Sequence, residues 1–136
     1  MLALGGTQTI AWASSTYLPA ILATSIARDL GLARATVFGA FSIALLVMAA
    51  TGPAAGRAID RAGGRSTLML SNLVLAGGLV MLGSASNVQM LFAAWCVLGV
   101  GMAMGLYDAA FAVLVHIYGK SARKAITGVT LVAGFA

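Results

Sequence analysis

Residues 35–65 read ATVFGAFSIALLVMAATGPAAGRAIDRAGGR, and this stretch decides the fold. Residues 35–56 carry no charge over 22 positions. About 20 mostly apolar residues are enough to cross a hydrocarbon core of ~30 Å as a helix. Arg57, Asp60, Arg61 and Arg65 then arrive together, around the pair Gly63-Gly64. The stretch therefore predicts a spanning helix that runs into a short charged loop, with glycines for a tight turn.

The same alternation extends in both directions. Residues 2–27 are free of charge, and Arg28, Asp29 and Arg34 bracket the next loop. Residues 66–107 are again uncharged and long enough for two helices, divided by the turn-forming run Gly83-Ser84-Ala85-Ser86-Asn87. The expected spans are 2–26, 35–57, 66–84, 88–118 and 125–136. The last is too short to cross and reads as the start of a fifth helix. The runs are continuous rather than alternating, which excludes a membrane β-barrel. The expected fold is an all-α integral membrane bundle, residues 1–136 forming four complete spans and part of a fifth.

Composition agrees. Hydrophobic residues are 61% of 136 and charged residues 8%, too few to cover a water-facing surface, since a soluble domain carries about a quarter. The net charge of +5 does not point to nucleic acid, because the cations sit in clusters between apolar runs without interleaved aromatics. Between the second and third spans and after the fourth lie Arg57, Arg61, Arg65, Lys120, Arg123 and Lys124; the other loops hold only Arg28 and Arg34. Cytoplasmic loops carry the Lys/Arg excess, so the N-terminus is expected in the cytoplasm. No basic residue precedes the first apolar run, and that run exceeds a signal-peptide core, so it is read as a retained span.

The loop from Gly56 to Arg65 resembles the signature of the major facilitator superfamily between its second and third helices, of the form G-x-x-x-D-[RK]-x-G-[RK]-[RK]. Gly56, Asp60, Arg61, Gly63 and Arg65 match; Gly64 stands where a basic residue is usual. The fourth helix is similar to the glycine-rich fourth helix of that family through Gly99, Gly101 and Gly105, but Trp95 occupies the place of an Arg found in many proton-coupled members. The resemblance implies the N-terminal fragment of a transporter with two six-helix halves, the remaining C-terminal helices being its missing partners. It also implies that the Gly56–Arg65 loop gates the rocking of those halves, with Asp60 as the charge that pairs and unpairs.

Candidate solute or proton residues follow. An ionisable group inside a span is costly and faces a cavity or a partner, which singles out Asp108 beside Tyr107. Gln8, Trp12 and Ser15 share a helical face in the first span. Gln8 and Trp12 are candidates to hydrogen-bond or stack on a solute; interhelical bonding is the alternative. The spacings Gly52-x-x-x-Gly56 and Gly101-x-x-x-Gly105 predict close helix approach, and Pro19 and Pro53 predict bends. Tyr17 and Tyr118 read as interfacial anchors. His116 reads as an interfacial or packing residue, and Asn72 as a helix–helix contact.

No enzyme chemistry is expected. Cys96 is alone, so neither a disulfide nor a thiolate metal site is expected, nor any cofactor. Lys120-Ser121 would end a phosphate loop only if a glycine stood at Leu114. The expected function is transport of a small solute, coupled to an ion or proton, by alternating access in a bacterial inner membrane. The alternative is a small membrane subunit or scaffold without transport of its own. A four-helix exporter of this size is disfavoured, since those rely on a carboxylate in the first helix and none is present there.

Overall fold

The computed structural model describes residues 2–105, 111, 114–115, 119 and 122–133. Six helices are assigned among them: α1 (Leu2–Ser15), α2 (Leu18–Asp29), α3 (Arg34–Ala62), α4 (Gly64–Gly83), α5 (Val88–Gly105) and α6 (Ala122–Ala133). Among the described residues, four segments are long and apolar enough to cross a bilayer: Gly5–Asp29, Arg34–Ala62, Gly64–Gly83 and Val88–Gly105. The first of them takes in most of α1 and all of α2.

The division of that span has a local cause. Pro19 sits in the first turn of α2. It offers no N–H to the carbonyl of Ser15, and its ring crowds the same group. The Thr16 and Tyr17 N–H groups both turn back to Trp12 O, at 2.9 and 3.2 Å, and Ala20 N–H donates to Tyr17 O at 3.1 Å. Tyr17, expected at an interface, thus lies at the break, 12 residues from either end of Gly5–Asp29. Pro53 acts differently and remains inside a continuous α3.

The other ends are set by caps. Gly31, at φ 64°, closes α2. Its N–H donates to Arg28 O at 3.2 Å, and Leu32 N–H reaches Ala27 O at 2.8 Å. That pair of bonds satisfies the last carbonyls of the helix. Asn87 caps α5, its Oδ1 accepting Met90 N–H at 2.8 Å.

Helix α3 runs past the expected limit of residue 57 to Ala62, and only Gly63 separates it from α4. The loop expected there is one residue long, at φ 81° and ψ 148°. Arg57, Asp60 and Arg61 belong to α3, whereas Arg65 lies in the first turn of α4. Charged side chains do not end a helix; a backbone conformation closed to L side chains does.

Helix α5 is central. It packs along α3 and α4 and touches α1, while α6 lies on α1 and α2 on α3. Leu91, Trp95, Leu98 and Met102 of α5 are fully buried against Val37, Ala40 and Ala44 of α3 and Leu75 of α4. Phe41 meets the Trp95 ring edge-on, with centroids 5.3 Å apart. Close approach depends on missing side chains. A Cβ at Gly99 would lie 2.5 Å from Ala44 O, and one at Gly101 2.8 Å from the Leu75 side chain. The outward faces are apolar: Ile21, Leu46, Leu73 and Val80 are each about 70% exposed. In lipid such faces are solvated; in water, patches of this kind drive association.

Gly52 and Gly56 do not act as expected. A Cβ at either would meet nothing within 4 Å. The buried face of this end of α3 is carried by Ala55 and Ile59, with Leu68 of α4 packed on Ile59. Gly56 falls beside that face and is exposed.

Candidate functional site

The polar residues of α1 meet α5 at one point. Gln8 is 2% exposed, and its Nε2 donates to Gly105 O at 2.6 Å. A carbonyl can only accept, so the contact fixes the orientation of the amide and leaves Oε1 as an acceptor. That oxygen is buried and has no hydrogen-bond partner among the described residues. Burying an amide oxygen unpaired costs about 1–3 kcal/mol.

Gly105 is also where α4 arrives. A Cβ there would collide with Ser71 Oγ. Ser71 is 1% exposed and back-bonds to Leu68 O at 3.0 Å. One glycine therefore lets α1, α4 and α5 converge, with an amide on one side and a hydroxyl on the other. Ser71 had no place in the sequence reading. A serine that returns its hydroxyl to its own helix leaves no pattern to detect.

Further along α1, Ser15 is fully buried and donates to Ala11 O at 2.5 Å. Trp12 is half-buried and approaches Tyr17, with ring centroids 6.3 Å apart and planes inclined by 45°. Between α1 and α4 lies a cleft of about 240 Å³, lined by Ile10, Ala11, Ser14, Asn72, Leu75, Ala76 and Leu79. Asn72 thus faces a helix–helix boundary and remains exposed.

The second cluster lies at the α3–α4 turn. Gly56 and Asp60 are one turn apart on α3, as are Arg57 and Arg61, so the acid and the bases occupy neighbouring stripes. All five of Gly56, Arg57, Asp60, Arg61 and Arg65 are exposed. Arg61 suits the last turn of α3, where the macrodipole favours a cation, and Asp60 does not. Thr67 Oγ1 donates to Gly63 O at 3.2 Å, tying the turn to the start of α4. Gly64 is buried at the first position of α4.

Tyr107 and Asp108 lie outside the described residues, as do His116 and Tyr118. Among the described residues no three His, Cys, Asp or Glu side chains gather as metal ligands. The structure brings Gln8 to α5 and sets Trp12 beside Tyr17. The Gly56–Arg65 cluster forms a separate group at the C-terminal end of α3 and the start of α4.

A family model described as Major Facilitator Superfamily matches residues 4–136. No curated protein and no solved structure matches the chain.

Proposed function

The chain belongs to the major facilitator superfamily of membrane transporters, and we propose that it forms the N-terminal helices of an alternating-access carrier that moves a small solute coupled to a proton or another ion. The observation that carries the reading is the buried Oε1 of Gln8, an acceptor held at the α1–α5 contact without a partner among the described residues. Such a group supports solute or proton handling, because its cost falls when a donor arrives.

Gln8 and Trp12 supply hydrogen bonding and an aromatic surface from the first span. Tyr107 and Asp108 follow Gly105 in the sequence, and Asp108 is the proposed proton or cation carrier. Asp60, with Gly56, Arg61, Gly63 and Arg65, forms the gate. An exposed carboxylate in the last turn of a helix gains from a cationic partner. The missing C-terminal helices supply that partner as the halves rock about a midplane site. The cation excess supports a cytoplasmic N-terminus and α3–α4 turn; the membrane we propose is a bacterial inner membrane.

The test uses the product of the full reading frame in membrane vesicles with an imposed proton gradient, screened against a metabolite panel. Gradient-driven accumulation of one solute is expected. Asp108→Asn should abolish that accumulation while leaving solute exchange intact, and Asp60→Asn should slow both. Accumulation that persists unchanged in Asp108→Asn would remove the carboxyl from the coupling step. If no solute crosses with the intact protein, the scaffold reading takes its place.

A further inference from the structure

Backbone polar groups inside a bilayer must find partners, and irregular backbone is tolerated there only when it is buried or lines a polar cavity. The break between α1 and α2 lies midway along the Gly5–Asp29 span. The carbonyls of Ala13, Ser15 and Thr16 are among those that lose their ordinary helical donors there. Tyr17 N–H bonds Trp12 O rather than Ala13 O, and Ala20 N–H bonds Tyr17 O rather than Thr16 O. Pro19 has no N–H to give Ser15. The Trp12 and Tyr17 rings flank these carbonyls in sequence and stand 6.3 Å apart, with Tyr17 49% exposed.

We infer that the break is a binding point for a cationic ammonium group, its N–H bonds directed to the freed carbonyls of Ala13 and Thr16, which are not buried as Ser15 is, and its charge lying against the Trp12 and Tyr17 rings. The inference rests on the carrier reading above and names the class of solute. Two independent features converge on it. Unwound carbonyls in a discontinuous span present partial negative charge at the membrane midplane. An aromatic pair attracts a cation through its ring faces, and an ammonium held against them is desolvated without an ion-pair partner. Neither feature favours an anion. A neutral alcohol would satisfy one carbonyl and gain nothing from the rings.

The test measures equilibrium binding of radiolabelled benzylammonium to the purified full-length protein in nanodiscs. Saturable binding is expected, displaced by unlabelled benzylammonium but not by benzyl alcohol. Pro19→Ala lets the helix run on through residues 16–20, returns the Tyr17 and Ala20 N–H groups to Ala13 O and Thr16 O, and should weaken binding about tenfold, the loss of one charge-assisted hydrogen bond. Tyr17→Leu leaves the break in place and should weaken it roughly threefold through the ring. Equal displacement by the alcohol overturns the proposal. So does unchanged affinity in both variants, and so does an absence of saturable binding. The vesicle screen separates this failure from that of the carrier reading: a neutral or anionic solute that accumulates with Asp108 dependence, while benzylammonium does not bind, keeps the carrier and removes the ammonium site.

Discussion

The α3–α5 seam makes a sharp prediction at Gly99. A methyl group there would sit 2.5 Å from Ala44 O and 3.1 Å from both Ala44 Cα and Val47 Cβ. The first two are backbone atoms and cannot rotate away. Ordinary contact begins at 3.4 Å, so the two helices must part by roughly 0.9 Å. A gap of that size forfeits about a quarter to a half of the dispersion energy along the seam. Overpacking a tight core costs about 1–3 kcal/mol, and a backbone obstacle belongs at the upper end. Gly99→Ala should therefore destabilise by about 2–3 kcal/mol. Gly77→Ala is the control, because a Cβ there meets nothing within 4 Å. Losing a helical glycine should be neutral or worth up to about 1 kcal/mol. Thermal unfolding in detergent, followed by Trp fluorescence, reads the seam directly, since Trp95 is buried in it against Phe41. The expected gap between the two variants is roughly 5–10 °C. A Gly99→Ala protein that melts at or above Gly77→Ala would refute the claim that this contact is limited by backbone.

Two further outcomes follow from the turn and the α1 contact. Gly63→Ala places a side chain at φ 81° and ψ 148°, which should cost about 1–3 kcal/mol and lower the melting temperature; a wild-type melt would show that the α3–α4 turn has another conformation open to it. Gln8→Leu removes a buried interhelical bond worth about 0.6–1.7 kcal/mol, so the melt should fall by a few degrees while flux of the accumulated solute falls at least about tenfold; full flux with the same loss of stability would make the amide purely structural.

The spans were legible because charges are costly in lipid and therefore mark the ends of uncharged runs. That logic finds where a helix leaves the membrane, not where the helix ends. Helix α3 continues past the span expected over 35–57 for this reason: Arg57 and Arg61 are good helix formers, and only the dihedral angle of Gly63 stops the chain. The glycine pairs show the same limit. Gly101 and Gly105 face α4, whereas Gly52 and Gly56 face open space. Small-residue spacing records that a helix can be approached, not that anything approaches it. Gln8 was visible as part of a polar stripe, but its partner is a main-chain carbonyl, which every residue possesses. Pro19 announced a bend; that the Tyr17 and Ala20 N–H groups also turn away from Ala13 and Thr16 depends on geometry no residue name carries.

These contacts divide the described helices mechanically. Helices α3, α4 and α5 interlock through Gly78, Gly99, Gly101 and Gly105, where any added methyl would meet a neighbouring atom closer than 3 Å. Such close-packed seams transmit displacement rather than absorb it. The first span is held differently. Its upper part joins α5 through Ala11 and the Gln8 amide, its lower part lies on α3 through Pro19, Ala23 and Ala27, and a break with unshared carbonyls separates the two. A span anchored at two ends to one rigid block, and interrupted between them, can change direction at residues 16–17 without loosening the block. In a carrier whose halves rock as rigid bodies, that interruption is where solute binding can be coupled to motion at least cost. The α3–α4 turn belongs to the same block and moves with it. The Gln8 contact reaches that block through Gly105, which meets Ser71 only seven residues into α4, so the Gln8 and Asp60 variants probe the same half of it; their effects on flux should share a cause while their effects on stability do not.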